Sequence, residues 1–197
     1  DDEHCLFTIG LQGRDHVNAA LDESDVVISV GYDLVEYAPA FWNKHGGKKI
    51  IHIDFWPSEI DENYATEVDI AADIADALWQ INEEINDRLG DNPSPWNIAD
   101  RAALRKTILD DFAMEKDDQS FPMKPQKVLW DVREFMGPGD ILLSDVGAHK
   151  MWVSRYYQCD EPNTCLISNG FCTMGFAFPG SIGAKIEIGR ASWRERV

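Results

Sequence analysis

Two short apolar runs constrain the fold of this chain more than any other feature. Residues 25–30 read DVVISV and are stopped by Gly31, and residues 49–55 read KIIHIDF after a turn at residues 46–47. Strands that are apolar without alternation are buried on both faces, which is typical of parallel sheets covered by helices. These runs therefore predict an α/β fold built on a mostly parallel sheet.

The rest of the chain alternates between strand and helix patterns, as an α/β fold requires. The predicted elements are, in order, the end of a helix at 18–23, strands at 25–30, 49–55 and 68–71, helices at 74–85, 96–115 and 126–136, a strand at 141–146, a helix to Tyr157, a strand at 164–168, and a last helix. A polar, proline-containing linker at residues 117–125 separates two groups of elements. We therefore predict two α/β domains.

The predicted divisions are a Rossmann-like domain portion at residues 1–90, a linker with a helix at 91–125, and the start of a second α/β domain at 126–186. Residues 187–197 read EIGRASWRERV, which is abruptly basic in an acidic chain. This segment resembles translated adapter sequence, so we leave it out of the fold prediction and expect the native part of the printed sequence to end near Ile186, before its domain is complete. A genuine amphipathic tail is the alternative.

The overall charge excludes several classes of partner. The 197 residues carry a formal net charge of −17, which disfavours nucleic acid and anionic membrane surfaces. No apolar run is long enough to span a bilayer. The four cysteines lack metal-site spacing, so we expect reduced, mostly buried thiols in a cytoplasmic protein.

Two segments of the second domain place a loop between a predicted strand and a helix. Residues 144–152 read SDVGAHKMW, and residues 169–185 read NGFCTMGFAFPGSIGAK. Ligands of open α/β sheets bind beyond the carboxyl ends of the strands, and free N–H groups at a helix start favour phosphate. His149 could donate to such a phosphate, although an ordinary surface histidine and a core-packed Met174 are the simpler interpretations of each residue alone.

Two further segments of the first domain have simpler explanations. The aromatic residues of the segment at 31–43, GYDLVEYAPAFWN, more often pack than react. His52 lies within a predicted interior strand and is expected to be a hydrogen-bonded core residue. The residues alone therefore predict a phosphate-binding crevice but no reaction.

Taken together, three segments resemble the thiamine-diphosphate-dependent enzymes of the acetolactate synthase group. DVGAHKMW resembles that group's DVGxHxxW, ISNGFCTMGFAFPGSIGAK resembles SxGxxTMGxxxPxxIGA, and IIHIDFWPSEID resembles the IIHIDxxPxEI segment of its central domain. The resemblance covers nearly all of residues 6–186 in the right order. It implies the latter part of a central domain followed by the first part of the diphosphate-binding domain.

The resemblance also implies which residues contact the cofactor. Gly147, Ala148 and His149 match the loop that contacts the diphosphate. Met174 matches the residue that holds thiamine diphosphate bent, beside Thr173. The Cys172 carbonyl matches the acceptor for the pyrimidine amino group. Ala148 replaces a commoner Gln and Cys172 a commoner Gly, so one side-chain contact is lost while the carbonyl remains.

Two parts of the group's active site fall outside the printed chain. The GDG…N segment that binds Mg²⁺ and diphosphate is expected beyond residue 186, and the activating glutamate is expected upstream of Asp1. We therefore predict no metal ligand and no catalytic residue in this fragment, and we expect the fragment alone to be inactive.

The segment at residues 31–43 indicates which branch of the group the chain resembles. Members that hold FAD carry an arginine-rich segment here, whereas GYDLVEYAPAFWN contains no arginine and resembles the catabolic, flavin-independent form GYDxxEYxPxFWN. The resemblance therefore argues against FAD. It leaves open whether the pathway is branched-chain amino acid biosynthesis or acetoin formation.

The resemblance implies that the parent enzyme condenses two pyruvates to 2-acetolactate and carbon dioxide through the cofactor's ylid, as a homodimer or homotetramer, with a second 2-keto acid as the acceptor. Another thiamine-diphosphate-dependent 2-keto acid decarboxylase or carboligase is one alternative. A non-catalytic cofactor-binding module is another, and a truncated product without function is a third.

Overall fold

The computed structural model describes residues 4–9, 16–59, 61–90, 92 and 99–188. It confirms the predicted α/β fold with parallel strands. The chain separates into two compact units. The first unit comprises Gln12–Asp100, and the second comprises Asp1–Leu11 together with Arg101–Val197.

The first unit is built on a three-stranded parallel sheet in the order β1-β2-β3. Its elements are α1 (His16–Asp22), β1 (Val26–Val30), a short 3₁₀ helix (Pro39–Phe41), β2 (Lys49–Asp54), β3 (Thr66–Ala71) and α2 (Ile74–Leu89). Val27 pairs with Ile50, and Ser29 pairs with His52. All three strands were predicted, because each is rich in β-branched residues.

One face of this sheet packs against an aromatic cluster. Ile50, Trp42 and Tyr64 are buried at its centre, and Tyr32 and Tyr37 pack around them. His52 is 3% exposed, and its Nδ1 lies 3.0 Å from the Tyr64 hydroxyl. The aromatic residues therefore pack, and His52 is a hydrogen-bonded core residue, as predicted.

The opposite face of β1 differs from the prediction. Val26, Ile28 and Val30 are 43%, 58% and 42% exposed, so β1 is not buried on both faces. The prediction failed because α2, the long helix of this unit, packs mainly against β2 and leaves these three side chains exposed. Sequence periodicity identified the strand but could not reveal which strand the helix would cover.

The second unit contains a two-stranded parallel sheet of β4 and β5. Its elements are α3 (Ala99–Ala113), α4 (Pro125–Phe135), β4 (Leu142–Ser144), α5 (Ala148–Tyr156), β5 (Cys165–Ile167) and α6 (Ala177–Ile188). Each corresponds to a predicted element, although β4 and β5 are shorter than the sequence suggested. Residues 93–98 and 189–197, which include the start of the predicted third helix and most of the predicted tail, lie outside the described residues.

Helices α4 and α5 pack together beside this small sheet. Leu129, Val153 and Tyr157 form their buried contact, and the Arg133 guanidinium donates to the Tyr157 hydroxyl at 3.1 Å. Helix α6 lies against β4. A Cβ atom on Gly180 would come within 2.7 Å of a Leu143 methyl group, so glycine permits this close approach.

The cysteines are free thiols, as predicted, but they are less buried than expected. Cys5, Cys159 and Cys172 are exposed, and only Cys165 is partly buried. The reason is position, because Cys165 is the only one of the four that lies within a strand.

Candidate functional site

The two loops that the sequence singled out lie at the same edge of the β4–β5 sheet. Ser144, the last residue of β4, pairs with Ile167, the last residue of β5. The chain then continues into residues 145–147 and residues 168–176, which precede α5 and α6 respectively. The carboxyl ends of parallel strands are where α/β folds bind ligands, so these loops form the candidate site.

Asp145 joins the two loops directly. One carboxylate oxygen accepts a hydrogen bond from the Gly175 N–H at 3.1 Å, and the other accepts from the Ala177 N–H at 2.7 Å. The donors lie 30 and 32 residues further along the chain. Ala177 is the first residue of α6, so the carboxylate also caps that helix from a different segment.

The start of α5 has no such cap. Gly147 is its N-terminal flanking residue, in extended conformation, and no described side chain caps this end. Ala148 and His149 follow on the surface. A Cβ atom at Gly147 would lie 3.0 Å from the His149 ring, so glycine leaves space for the imidazole beside the helix start.

The second loop presents apolar residues to solvent. Met174 is 92% exposed and Phe171 is 99% exposed, and Thr173 between them is exposed as well. Within the described residues Met174 is therefore not packed in a core, which differs from the simpler interpretation of this residue alone. The residues are exposed because they lie in a loop beyond β5.

The backbone of this loop takes left-handed conformations at Cys172 and Gly175, with φ of 51° and 81°. Such angles are unfavourable for a non-glycine residue. The Cys172 thiol donates to the Asn169 carbonyl at 3.1 Å, a contact that supports the turn. The turn leaves the peptide groups on either side of Thr173 and Met174 at the surface.

The arrangement suits an anionic ligand with an apolar part. An uncapped helix start offers N–H groups and a positive dipole to phosphate, and His149 adds a donor. Met174 offers adaptable apolar contact. Among the residues that the structure describes, no group of histidine, cysteine or acidic side chains could hold a metal ion. Sequence reasoning brought the two loops together but gave no role to Asp145, because it placed this residue inside the predicted strand at 141–146, whereas β4 ends at Ser144.

The carboxyl edge of the first unit's sheet is arranged differently. Asp33 accepts from the Val35 N–H at 2.8 Å, Asp54 accepts from the Trp56 N–H at 3.3 Å, and Asp73 accepts from the Asp76 N–H at 2.9 Å. Each strand of this sheet thus ends at, or is closely followed by, an aspartate whose carboxylate accepts from nearby backbone.

Comparison with protein families identifies both units. Residues 1–81 match the thiamine pyrophosphate enzyme central domain, and residues 145–197 match the thiamine pyrophosphate enzyme C-terminal TPP binding domain. The chain belongs to the thiamine pyrophosphate enzymes. This finding confirms the resemblance drawn from the three sequence segments, and the second match includes both loops of the candidate site.

Individual relatives point in the same direction. The chain is 31% identical to an acetolactate synthase of Bacillus subtilis over 178 residues, which are 90% of this chain and 31% of that protein. It is 32% identical to a catabolic acetolactate synthase of Raoultella terrigena over 177 residues, 89% of this chain and 31% of that protein. A probable acetolactate synthase large subunit of Methanococcus aeolicus is 34% identical over 92% of this chain and 32% of its own length. The chain thus spans about a third of the length of these relatives.

Within the described residues, none of the helices has the length and apolar character that crossing a membrane requires.

Proposed function

We propose that the whole protein to which this chain belongs is a thiamine-diphosphate-dependent acetolactate synthase. It condenses two pyruvates to 2-acetolactate and releases carbon dioxide. The observation that carries the proposal is the carboxylate of Asp145, which joins the two loops that resemble the group's cofactor segments at one sheet edge. The names of the relatives support the same reaction.

The residues present fit thiamine diphosphate. Gly147, Ala148 and His149 would hold the diphosphate through the open start of α5, where N–H groups and an imidazole are available. When bound, the cofactor supplies the nucleophilic carbon that attacks the 2-keto acid, while the protein orients the reactants. Met174 would pack against the cofactor and exclude water, with Thr173 beside it. The Cys172 carbonyl would accept a hydrogen bond from the cofactor's amino group.

We further propose that the enzyme needs Mg²⁺, with ligands outside residues 1–186, and that it works in the cytoplasm as a homodimer or homotetramer. FAD is not part of the proposal, because the segment at residues 31–43 contains no arginine and resembles the flavin-independent form. Purified whole protein should therefore show no flavin absorbance and should need no added FAD.

The decisive test is product analysis with the whole protein. Incubation with pyruvate, thiamine diphosphate and Mg²⁺ should release one carbon dioxide for every 2-acetolactate formed. Omission of thiamine diphosphate from stripped protein is the control and should abolish both products. Acetaldehyde in place of acetolactate would indicate another 2-keto acid decarboxylase, and cofactor binding without carbon dioxide release would indicate a binding module.

A further inference from the structure

Asp145 has a role that neither the family matches nor the relatives assign. We propose that Asp145 is a positioning residue that holds the loop at residues 172–176 in its cofactor-binding conformation. The proposal rests on the proposed function, since it assigns this loop to thiamine diphosphate. It adds a residue that touches the loop's backbone and need not touch the cofactor.

Both hydrogen bonds of Asp145 reach the C-terminal end of the loop at residues 172–176. Gly175 follows Met174 directly and has the left-handed backbone that ends the turn, while Ala177 begins α6. A carboxylate that accepts from both N–H groups fixes the position of this end of the loop relative to β4. Hydrogen bonds to a charged acceptor are stronger than neutral ones, so the contact can resist loop motion.

The same carboxylate determines which helix start can accept an anion. Two helices, α5 and α6, begin at this sheet edge, and each start carries a partial positive charge. Asp145 occupies the start of α6, whereas the start of α5 carries no described side-chain cap. The diphosphate is therefore directed to residues 147–149, and Asp145 keeps the second helix from competing for it.

The packing beneath the loop makes this geometry possible. Gly180 allows α6 to approach the Leu143 side chain on β4 closely. Asp145 follows β4 by one residue, and Ala177 precedes Gly180 by less than one helical turn. The close approach of helix and strand therefore brings the carboxylate and the helix start together.

The chemical requirement is for two acceptor oxygens at one position. Asparagine has the same shape but presents an NH₂ group where one oxygen stood, so it would face an N–H donor with another donor. Alanine would lose both hydrogen bonds. We therefore expect Asp145→Asn to bind thiamine diphosphate more weakly than the unsubstituted protein does. Asp145→Ala should bind it more weakly still.

The experiment measures thiamine diphosphate affinity and loop exposure in the whole protein. Titration with thiamine diphosphate in the presence of Mg²⁺, followed by tryptophan fluorescence, gives the dissociation constant. We expect Asp145→Ala to raise the dissociation constant about tenfold or more, because ordering the loop would then reduce the net free energy of binding. Amide hydrogen exchange without cofactor should become faster at Gly175 and Ala177.

A matched control exists at the other end of β4. The Asp140 carboxylate also accepts from a backbone N–H, that of Gly137 at 2.8 Å, but it lies away from both loops. Asp140→Ala should lower stability to a similar degree and leave the dissociation constant within about twofold, since distant sites act independently. Thermal unfolding of all variants establishes that each one folds.

The outcomes separate the two proposals. The positioning role would be overturned if Asp145→Ala and Asp140→Ala weakened thiamine diphosphate binding equally. It would also be overturned if Asp145→Ala left the affinity unchanged. Unchanged amide exchange at Gly175 and Ala177 in Asp145→Ala would show that the Asp145 carboxylate does not hold this loop, whatever the affinity. If the unsubstituted protein binds no thiamine diphosphate, both the proposed function and the positioning role fail. Amide exchange at Gly175 and Ala177 would then still decide whether Asp145 holds the loop.

Discussion

The two parallel sheets of this chain end in different ways. Beyond the first unit's sheet, Asp33, Asp54 and Asp73 each accept from backbone N–H groups a few residues away. Beyond the second unit's sheet, Asp145 accepts from a distant segment, and the start of α5 lacks a described side-chain cap. We call these the closed edge and the open edge.

The difference teaches that a fold alone does not determine where a ligand binds. Both edges lie at the carboxyl ends of parallel strands, and both precede a helix, which is the usual ligand position. At the closed edge, Asp73 caps the start of α2, and Asp33 and Asp54 each accept from one nearby backbone N–H. The open edge uses its carboxylate to join two loops, and it leaves one helix start available.

The largest expected effect comes from removing the exposed apolar residue of the open edge. Met174→Ala should lower kcat of the whole enzyme by about a hundredfold, since misplacing a cofactor can cost that much. The melting temperature should hardly change, because Met174 is 92% exposed.

Val35→Ala is the control at the closed edge, where this side chain is 88% exposed. Steady-state kinetics should remain within about twofold of the unsubstituted enzyme for this variant, because a surface substitution away from the site has little effect. If both variants behave alike, the assignment of Met174 to the cofactor is refuted.

A second prediction concerns a cap of the closed edge. Asp73 is the N-cap of α2, and its replacement by alanine should lower the free energy of unfolding by about 1 kcal/mol. Asp73→Asn should retain most of that stability, because asparagine caps helices as well as aspartate does. Urea unfolding of the three proteins measures the difference, and equal stability of all three would show that the cap contributes nothing.

A third prediction concerns pH and the strand beneath the open edge. Burial, with a further contribution from the neighbouring Cys159 thiol, raises the pKa of Cys165 from 9.0 to about 12. The unfolded chain therefore loses this proton before the folded chain does. The stabilising contribution is complete below pH 9.0 and is lost as the pH rises towards 12.

The free energy of unfolding should therefore fall between about pH 8 and about pH 11 in the unsubstituted protein. In Cys165→Ala this fall should be smaller by about 1 kcal/mol, after allowance for partial solvent exposure. Cys5→Ala is the control, because Cys5 is exposed. Parallel pH profiles for all three proteins would contradict the burial of Cys165.

Much of the architecture could be predicted from the sequence. The strands β1 and β2 follow from runs dominated by β-branched residues, and the two loops of the open edge follow from strand–glycine–helix order. These features are local, so the sequence displays them directly. The exposed face of β1 was not predictable, because burial of a strand depends on where a helix packs.

The contacts of Asp145 were also beyond the sequence. Asp73 directly precedes the predicted helix at 74–85, which is an N-cap position that a sequence can indicate, whereas nothing around Asp145 indicates partners 30 residues away. The left-handed backbone at Cys172 was equally hidden, since such angles are rare for cysteine. Long-range hydrogen bonds of this kind depend on the packed position of α6, which sequence spacing does not encode.

Amide hydrogen exchange of the whole protein, with and without thiamine diphosphate and Mg²⁺, tests the central claim most directly. The account predicts that the cofactor slows exchange at residues 147–150 and 172–177, which form the open edge. It predicts no change at residues 33–36, 54–58 and 73–76 of the closed edge. Protection of the closed edge, or no protection of the open edge by saturating cofactor, would contradict the account.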